Sequence, residues 1–193
     1  NLRYKVKKRE INQIIGLKIL SVIRRSKYLL FFFSNKIVMI AHLGMTGKFY
    51  IINKNKKKVK TSFYYHLNEI KNDKHDHIVI FFSNKSRLIY NDVRKFGFIK
   101  FDKLDKLNKN SHLKILGPEP LESIFNYKYF KKYIKKRNRI IKDLLMDQKF
   151  VSGLGNIYVN EILFCSQIKP TRKLVKLKDY EIKKIIINTK KIL

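Results

Sequence analysis

Cysteine is almost missing from this 193-residue chain: Cys165 stands alone, so no disulfide can form within it and no cysteine-rich zinc site can be built. That usage points to a reducing compartment, the cytoplasm, and no signal-peptide pattern precedes it. Proline occurs only at 118, 120 and 170, and tryptophan not at all. No run approaches the roughly 18 uninterrupted apolar residues of a membrane span. Acidic residues are scarce as well, 14 against 45 Lys and Arg, which leaves a formal charge of +31. Such a charge suits a polyanion, most obviously nucleic acid, although the Lys-, Ile- and Asn-rich composition equally fits drift in an AT-rich genome. The chain begins at Asn1 rather than Met and stops inside a helical pattern at Lys190–Leu193, as a piece of a longer protein would.

What is present is 45% apolar residues, enough for one larger domain or two small ones. Tyr28–Phe33, Ile37–Leu43, Lys48–Ile52, Thr61–His66, His77–Phe82, Arg87–Tyr90 and Phe96–Phe101 are short β-branched and aromatic runs. Turn-prone pieces part them: Ser34-Asn35-Lys36, Asn53-Lys54-Asn55 and Ser83-Asn84-Lys85-Ser86. Strands this short and close predict an antiparallel sandwich or barrel. Asn1–Ile15 reads as helix or loop, and the basic Lys54–Lys60 as a solvated loop. Cys165, in an apolar helical context, reads as a small buried hydrophobe.

Pro118 and Pro120 in Leu116–Leu121 ("LGPEPL") break the pattern, and the period then changes to 3.6. Tyr127, Phe130, Tyr133 and Ile134 share one helical face, with Lys128, Lys131, Lys132 and Lys135 opposite. Further helices follow around Ile140–Leu145, at Ile157–Ser166, and around Ile182, Ile185, Ile186 and Leu193. The chain is thus expected to be α+β: a β domain over 1–115 and a helical domain over 116–193, with no internal repeat.

Several stretches could carry function. Gly153-Leu154-Gly155-Asn156 lies between two helices, without the preceding strand and third glycine of a dinucleotide fold. It is either an ordinary helix–helix turn or a backbone clamp for phosphate at a helix N-terminus, with Asn156 capping the helix or reaching a phosphate. Met45, in "AHLGMTGKF", either folds back on the core or forms an apolar wedge for a base stack. Arg94 and Phe96, in "NDVRKFGF", either flank a plain hairpin or read and stack on bases. His75 and His77 would share one side of a strand, as a phosphate contact or a strand edge rather than a complete metal site. Lys27, before the apolar Tyr28–Phe33, is a solvated lysine or one with a lowered pKa that moves protons.

In this order, "AHLGMTG", "DVRKFG", "LGPEPL" and "LLMDQKFVSGLGNIYVNEILF" resemble the formamidopyrimidine-DNA glycosylases, bacterial repair enzymes for oxidised purines. The resemblance is clearest from Lys18 to Pro170. It implies an N-terminal antiparallel β-sandwich followed by a helix–two-turn–helix domain, and a C-terminal finger holding a structural zinc. It implies a monomer acting on double-stranded DNA that contains an oxidised purine or an abasic site. It places Asn156 on a DNA phosphate, and Met45, Arg94 and Phe96 in the gap left by an extruded nucleotide, with Arg94 facing the orphaned cytosine. It places His42, His75, Arg137 and Lys142 on DNA near the lesion, and makes Lys27 a proton donor in β-elimination.

The implied activity is excision of 8-oxoguanine or formamidopyrimidines, then nicking of the abasic site by β,δ-elimination through an imine. Nothing here matches the family's N-terminal proline and glutamate, its four zinc cysteines or the finger's arginine. The chain as written is therefore expected to grip DNA without cutting it, and to hold no metal. Two rivals remain: an endonuclease VIII-type pyrimidine glycosylase, which lacks the Met/Arg/Phe arrangement, and a ribosomal-type helix–two-turn–helix RNA binder, which would not need the long β domain.

Overall fold

A computed structural model describes residues 2–53, 58–60 (backbone only), 73–135 and 137–193. Internal contacts divide the chain into two units: Asn1–Arg24 with Tyr28–Asp105, and Arg25–Lys27 with Lys106–Leu193. No helix among the described residues is long and apolar enough to cross a membrane.

After the short helix α1 (Lys8–Asn12), the described residues of this part of the chain contain eight strands: β1 (Ile19–Arg25), β2 (Tyr28–Phe33), β3 (Ile37–His42), β4 (Lys48–Ile52), β5 (Lys58–Lys60), β6 (Asp76–Phe81), β7 (Arg87–Asn91) and β8 (Phe98–Lys103). They form two four-stranded sheets in the orders β1-β2-β3-β8 and β5-β4-β7-β6. The pairs β2/β3, β3/β8, β4/β5, β4/β7 and β6/β7 are antiparallel. Leu2, Phe31, Phe33, Met39, Ala41, Phe49, Leu88, Tyr90 and Ile99 are buried together as the core. β3 is central in its sheet and is buried from Val38 to Ala41, which is why it reads as a continuous apolar run.

Two hairpin turns use the same chemistry. Asn35 Oδ1 accepts the Ile37 N–H and Asn84 Oδ1 accepts the Ser86 N–H, while Lys36 and Lys85 take positive φ. The asparagine side chain replaces a backbone acceptor and closes the turn locally.

Several expectations are corrected here. β1 went unseen, because most of its side chains are exposed and leave no alternating pattern. Of the basic stretch read as a loop, Lys58–Lys60 is β5, whose backbone pairs with β4. Lys54–Lys57 and the expected strand Thr61–His66 lie outside the described residues. His75 closes a single 3-10 turn, Asp73–His75, whereas His77 is on β6, so the two imidazoles do not alternate along one strand.

The described residues of the second unit form four α-helices: α2 (Tyr127–Ile134), α3 (Ile141–Met146), α4 (Asn156–Ser166) and α5 (Asp179–Ile192). Asn126 caps α2 by accepting the Tyr129 N–H at 3.0 Å. Glu181 Oε2 accepts the Lys178 N–H at 2.7 Å at the start of α5. The core centres on Phe150, with the rings of Tyr133 (4.7 Å), Phe130 (5.0 Å), Tyr129 (5.7 Å) and Phe125 (5.9 Å) around it.

On α4 the helical period buries Ile162, Leu163 and Ser166 and turns Phe164 and Cys165 outward. Cys165 is therefore exposed, not buried. The buried position one residue on belongs to Ser166, whose hydroxyl accepts from Asn188 Nδ2 at 2.9 Å. Phe150→Ala should cost roughly 3–5 kcal/mol, because it empties a fully buried aromatic site; urea denaturation of the variant against the parent measures this.

Candidate nucleic-acid interface

In the β unit two loops are built onto one carboxylate. Asp92 follows β7 and is wholly buried. Its Oδ1 accepts the Thr46 hydroxyl at 2.6 Å; its Oδ2 accepts the Gly97 N–H at 2.9 Å and the Tyr90 hydroxyl at 3.3 Å. Its backbone N–H donates to the His75 carbonyl, and its own carbonyl accepts from His77 Nε2 at 2.8 Å. A buried carboxylate demands such donors, since leaving it unsolvated is costly. Burial first, then the Asp92 charge and hydrogen bond, raise the Tyr90 phenol above its ordinary pKa, so it stays a donor.

The loops also touch directly. A Cβ on Gly44 would lie 2.7 Å from the Gly97 nitrogen, and one on Gly97 would collide with the Tyr90 hydroxyl and the His42 carbonyl. Only glycine allows this approach.

On this base the apolar side chains face out. Met45 is 65% exposed and Phe96 43% exposed, so Met45 does not fold back onto the core and the Phe96 ring is half open to solvent. The strand expected from Phe96 begins two residues later, at Phe98, which leaves Phe96 in the loop. The Arg94 guanidinium sits 4.8 Å above the Phe96 ring, and Lys95 between them holds φ +59°.

His42, at the end of β3, stacks on Phe98 at 5.5 Å and packs beside Tyr28 at 5.1 Å. Its Nδ1 accepts the Gly44 N–H at 3.1 Å, so the proton of the neutral ring is on Nε2.

In the helical unit the Gly153–Asn156 turn is fixed by side chains far away in sequence. Gln148 Oε1 accepts the Gly153 N–H at 2.8 Å, and its Nε2 donates to the Leu154 carbonyl at 2.8 Å. Lys27 Nζ donates to that same carbonyl at 2.9 Å and lies 3.4 Å from where a Gly155 Cβ would be. Lys27 is exposed as a residue, but its amine is drawn against the turn, and desolvation lowers its pKa.

Beneath it Arg25 Nη1 pairs with Glu119 Oε1 at 2.8 Å and donates to Ser152 Oγ at 2.7 Å; Glu119 Oε1 also accepts the Ser26 N–H at 2.6 Å. This network joins Arg25–Lys27, the proline-containing break and the glycine turn. Gly155, not Asn156, caps α4, so the capping alternative for Asn156 is excluded. Asn156 is the exposed first residue of the helix, and its side chain has no hydrogen-bond partner among the described residues. Arg137 Nε donates to the Tyr133 carbonyl at 2.7 Å, with its guanidinium 4.3 Å over the Tyr133 ring. Lys142 lies in the first turn of α3.

The structure thus gathers His42, Met45, Arg94 and Phe96 around two touching loops, with the His75 backbone tied to their base. Lys27 and Asn156 flank the glycine turn. Arg137 precedes α3, and Lys142 stands in its first turn. Sequence reasoning missed Asp92, Thr46, Gln148, Arg25 and Glu119. For Asp92 a signal existed: a carboxylate is rare in so basic a chain, and this one directly follows a strand. Among the described residues no group of three or more His, Cys, Asp or Glu could hold a metal ion.

The model of the formamidopyrimidine-DNA glycosylase N-terminal domain matches residues 1–99, and that of the formamidopyrimidine-DNA glycosylase H2TH domain residues 116–193. The chain belongs to the formamidopyrimidine-DNA glycosylase family. It is 36% identical over its whole length to the formamidopyrimidine-DNA glycosylase of Rickettsia massiliae, covering 64% of that relative, and 39% identical over 93% of its length to that of Oceanobacillus iheyensis, covering 59%. It therefore spans about three fifths of the length of these relatives.

The Lactococcus lactis enzyme, solved non-covalently bound to DNA containing an AP site, superposes with a TM-score of 0.79 at 32% identity, over 94% of this chain and 64% of that one. The same enzyme with a Fapy-dG-containing DNA gives the same score and identity, over 94% and 63%. These matches bear out both the family resemblance and the sandwich-plus-helical architecture.

Gly97→Ala should destabilise the β unit by roughly 1–3 kcal/mol, because backbone and the Tyr90 hydroxyl must move; chemical denaturation measures it. Desolvation lowers the Lys27 amine, so a larger fraction of it is neutral at any given alkaline pH than for an ordinary lysine. NMR of isotopically methyl-labelled lysines should show Lys27 titrating first among the assigned amines.

Proposed function

We propose that this chain is the duplex-gripping part of a base-excision repair glycosylase with AP lyase activity, one that removes oxidised purines such as 8-oxoguanine and formamidopyrimidines from double-stranded DNA. The observation that carries this reading is the pair of loops on Asp92, which hold an exposed methionine, arginine and phenylalanine side by side. Their combination of a flexible apolar wedge, a guanidinium and a stacking ring suits a duplex from which one nucleotide has been extruded. Met45 and Phe96 replace the lost stacking, and Arg94 donates to the orphaned base, where a bidentate contact discriminates by about 1–3 kcal/mol.

The glycine turn and Asn156 take a phosphate at the start of α4, a contact that positions without reading sequence. His42 offers Nε2–H to the backbone, supported by the Gly44 hydrogen bond that fixes its tautomer. His75, Arg137 and Lys142 add contacts around the lesion. Lys27 supplies a proton during β-elimination; its desolvated amine beside the Leu154 carbonyl supports that role.

The imine-forming amine is assigned to none of these residues, since none matches the family's proline and glutamate. The family's structural zinc needs four cysteines. Cys165 alone does not fit that site. The protein acts as a monomer on DNA in the cytoplasm.

Binding to an abasic-site duplex, with structured RNA as competitor, tests the reading. The duplex should win, with an affinity that falls steeply with salt. Asn156→Ala should weaken binding about tenfold whatever the sequence, since a hydrogen bond to a charged group is lost. Arg94→Ala should instead erase the preference for cytosine opposite the site. Equal competition by RNA would overturn the proposal.

A further inference from the structure

The Thr46 hydroxyl stands where the two loops meet and makes two hydrogen bonds of opposite sense. It donates to Asp92 Oδ1 at 2.6 Å and accepts the backbone N–H of Arg94 at 3.1 Å. Met45 is its covalent neighbour, so one hydroxyl links the methionine to the arginine's own amide. Three residues beyond Arg94, the Gly97 N–H is held by Asp92 Oδ2. The Arg94–Phe96 segment is thus pinned on both sides, and inside it Lys95 keeps its positive φ. That conformation costs a lysine some strain, which Lys36 and Lys85 offset in their hairpin turns with bonds from a neighbouring asparagine. At Lys95 the bonds through Thr46 and Asp92 play that part.

We propose that Thr46 is a positioning residue that makes Met45 and the Arg94–Phe96 loop a single body, and thereby sets discrimination for the base opposite the lesion. This rests on the reading of Met45, Arg94 and Phe96 given above. Two independent loops would each lose conformational entropy on insertion, whereas one preorganised body loses less. It also ties the height of the wedge to the reach of the guanidinium. Val has the shape of Thr but lacks both hydrogen bonds, and Ser keeps both.

The test is binding of the 193-residue chain to duplexes carrying a tetrahydrofuran abasic analogue opposite cytosine or adenine. Thr46→Val should cut the preference for cytosine about fivefold and couple non-additively with Met45→Ala and Arg94→Ala. Thr46→Ser should restore the preference. A loss of stability alone would weaken both duplexes alike and leave their ratio unchanged.

An unchanged preference in Thr46→Val, with additive effects in the double variants, would overturn the inference while leaving the wedge reading intact. If the parent chain shows no preference and neither Met45→Ala nor Arg94→Ala alters binding, the wedge reading itself fails and takes this inference with it. Should Thr46→Val not fold, hydrogen exchange in the parent decides. A common opening rate for the Gly47, Arg94 and Gly97 amides supports one body, and separate rates refute it.

Discussion

The Asp92 carboxylate lies out of reach of water, and three donors from separate parts of the β unit converge on it. A charge there is tolerable only while those donors stay in place. That constraint fixes the Thr46 loop, the Gly97 loop and the end of β7 relative to one another. It also explains two glycines: with donors drawn onto one acceptor, the backbones at Gly44 and Gly97 come too close for side chains. With the base buried and satisfied, the exposed tips are free to carry residues that no free surface would favour.

The helical unit solves a similar problem with a different network. The Gly153–Asn156 turn would be an ordinary connection if only its local bonds held it. Gln148 fastens its amide and carbonyl groups, and the Arg25–Glu119 pair, half-buried and shared with Ser152 and the Ser26 amide, fastens what lies beneath. Lys27 is placed as a consequence. Its amine shares the Leu154 carbonyl with Gln148, and the resulting loss of water, not a neighbouring charge, lowers its pKa. Two charged residues of opposite sign, Arg25 and Glu119, thus fasten the turn beside a lysine whose amine is desolvated.

Much of this could be read from residues alone, for reasons that differ by element. β2, β4 and β7 are apolar and aromatic runs of strand length, and α2 has one apolar and one lysine face, so period and composition sufficed. β1 could not be read, because an exposed strand has no burial pattern to print. Cys165 was misplaced because an apolar helix such as α4 offers no contrast between its faces. The four motifs were legible as strings, and their order identified the family, but their letters did not say which residue holds and which is held. Asp92 and Gln148 stood inside quoted motifs without revealing that the neighbouring loop or turn hangs from them.

By itself the sequence determined the class of the fold, the family and the strongly basic charge, because periodicity, turn chemistry, motif order and composition are properties of the chain alone. Only tertiary structure decided that Met45 and Phe96 point outward, that Asn156 is not a cap, that His42 carries its proton on Nε2, and that Lys27 lies on the glycine turn. The Lys27 contact depends on a partner 127 residues away and the exposure of Met45 and Phe96 on which side of a loop is buried, while the His42 tautomer and the cap at Gly155 depend on the course the backbone takes through a turn. No local pattern encodes a hydrogen bond between Thr46 and Asp92, or between Lys27 and Leu154.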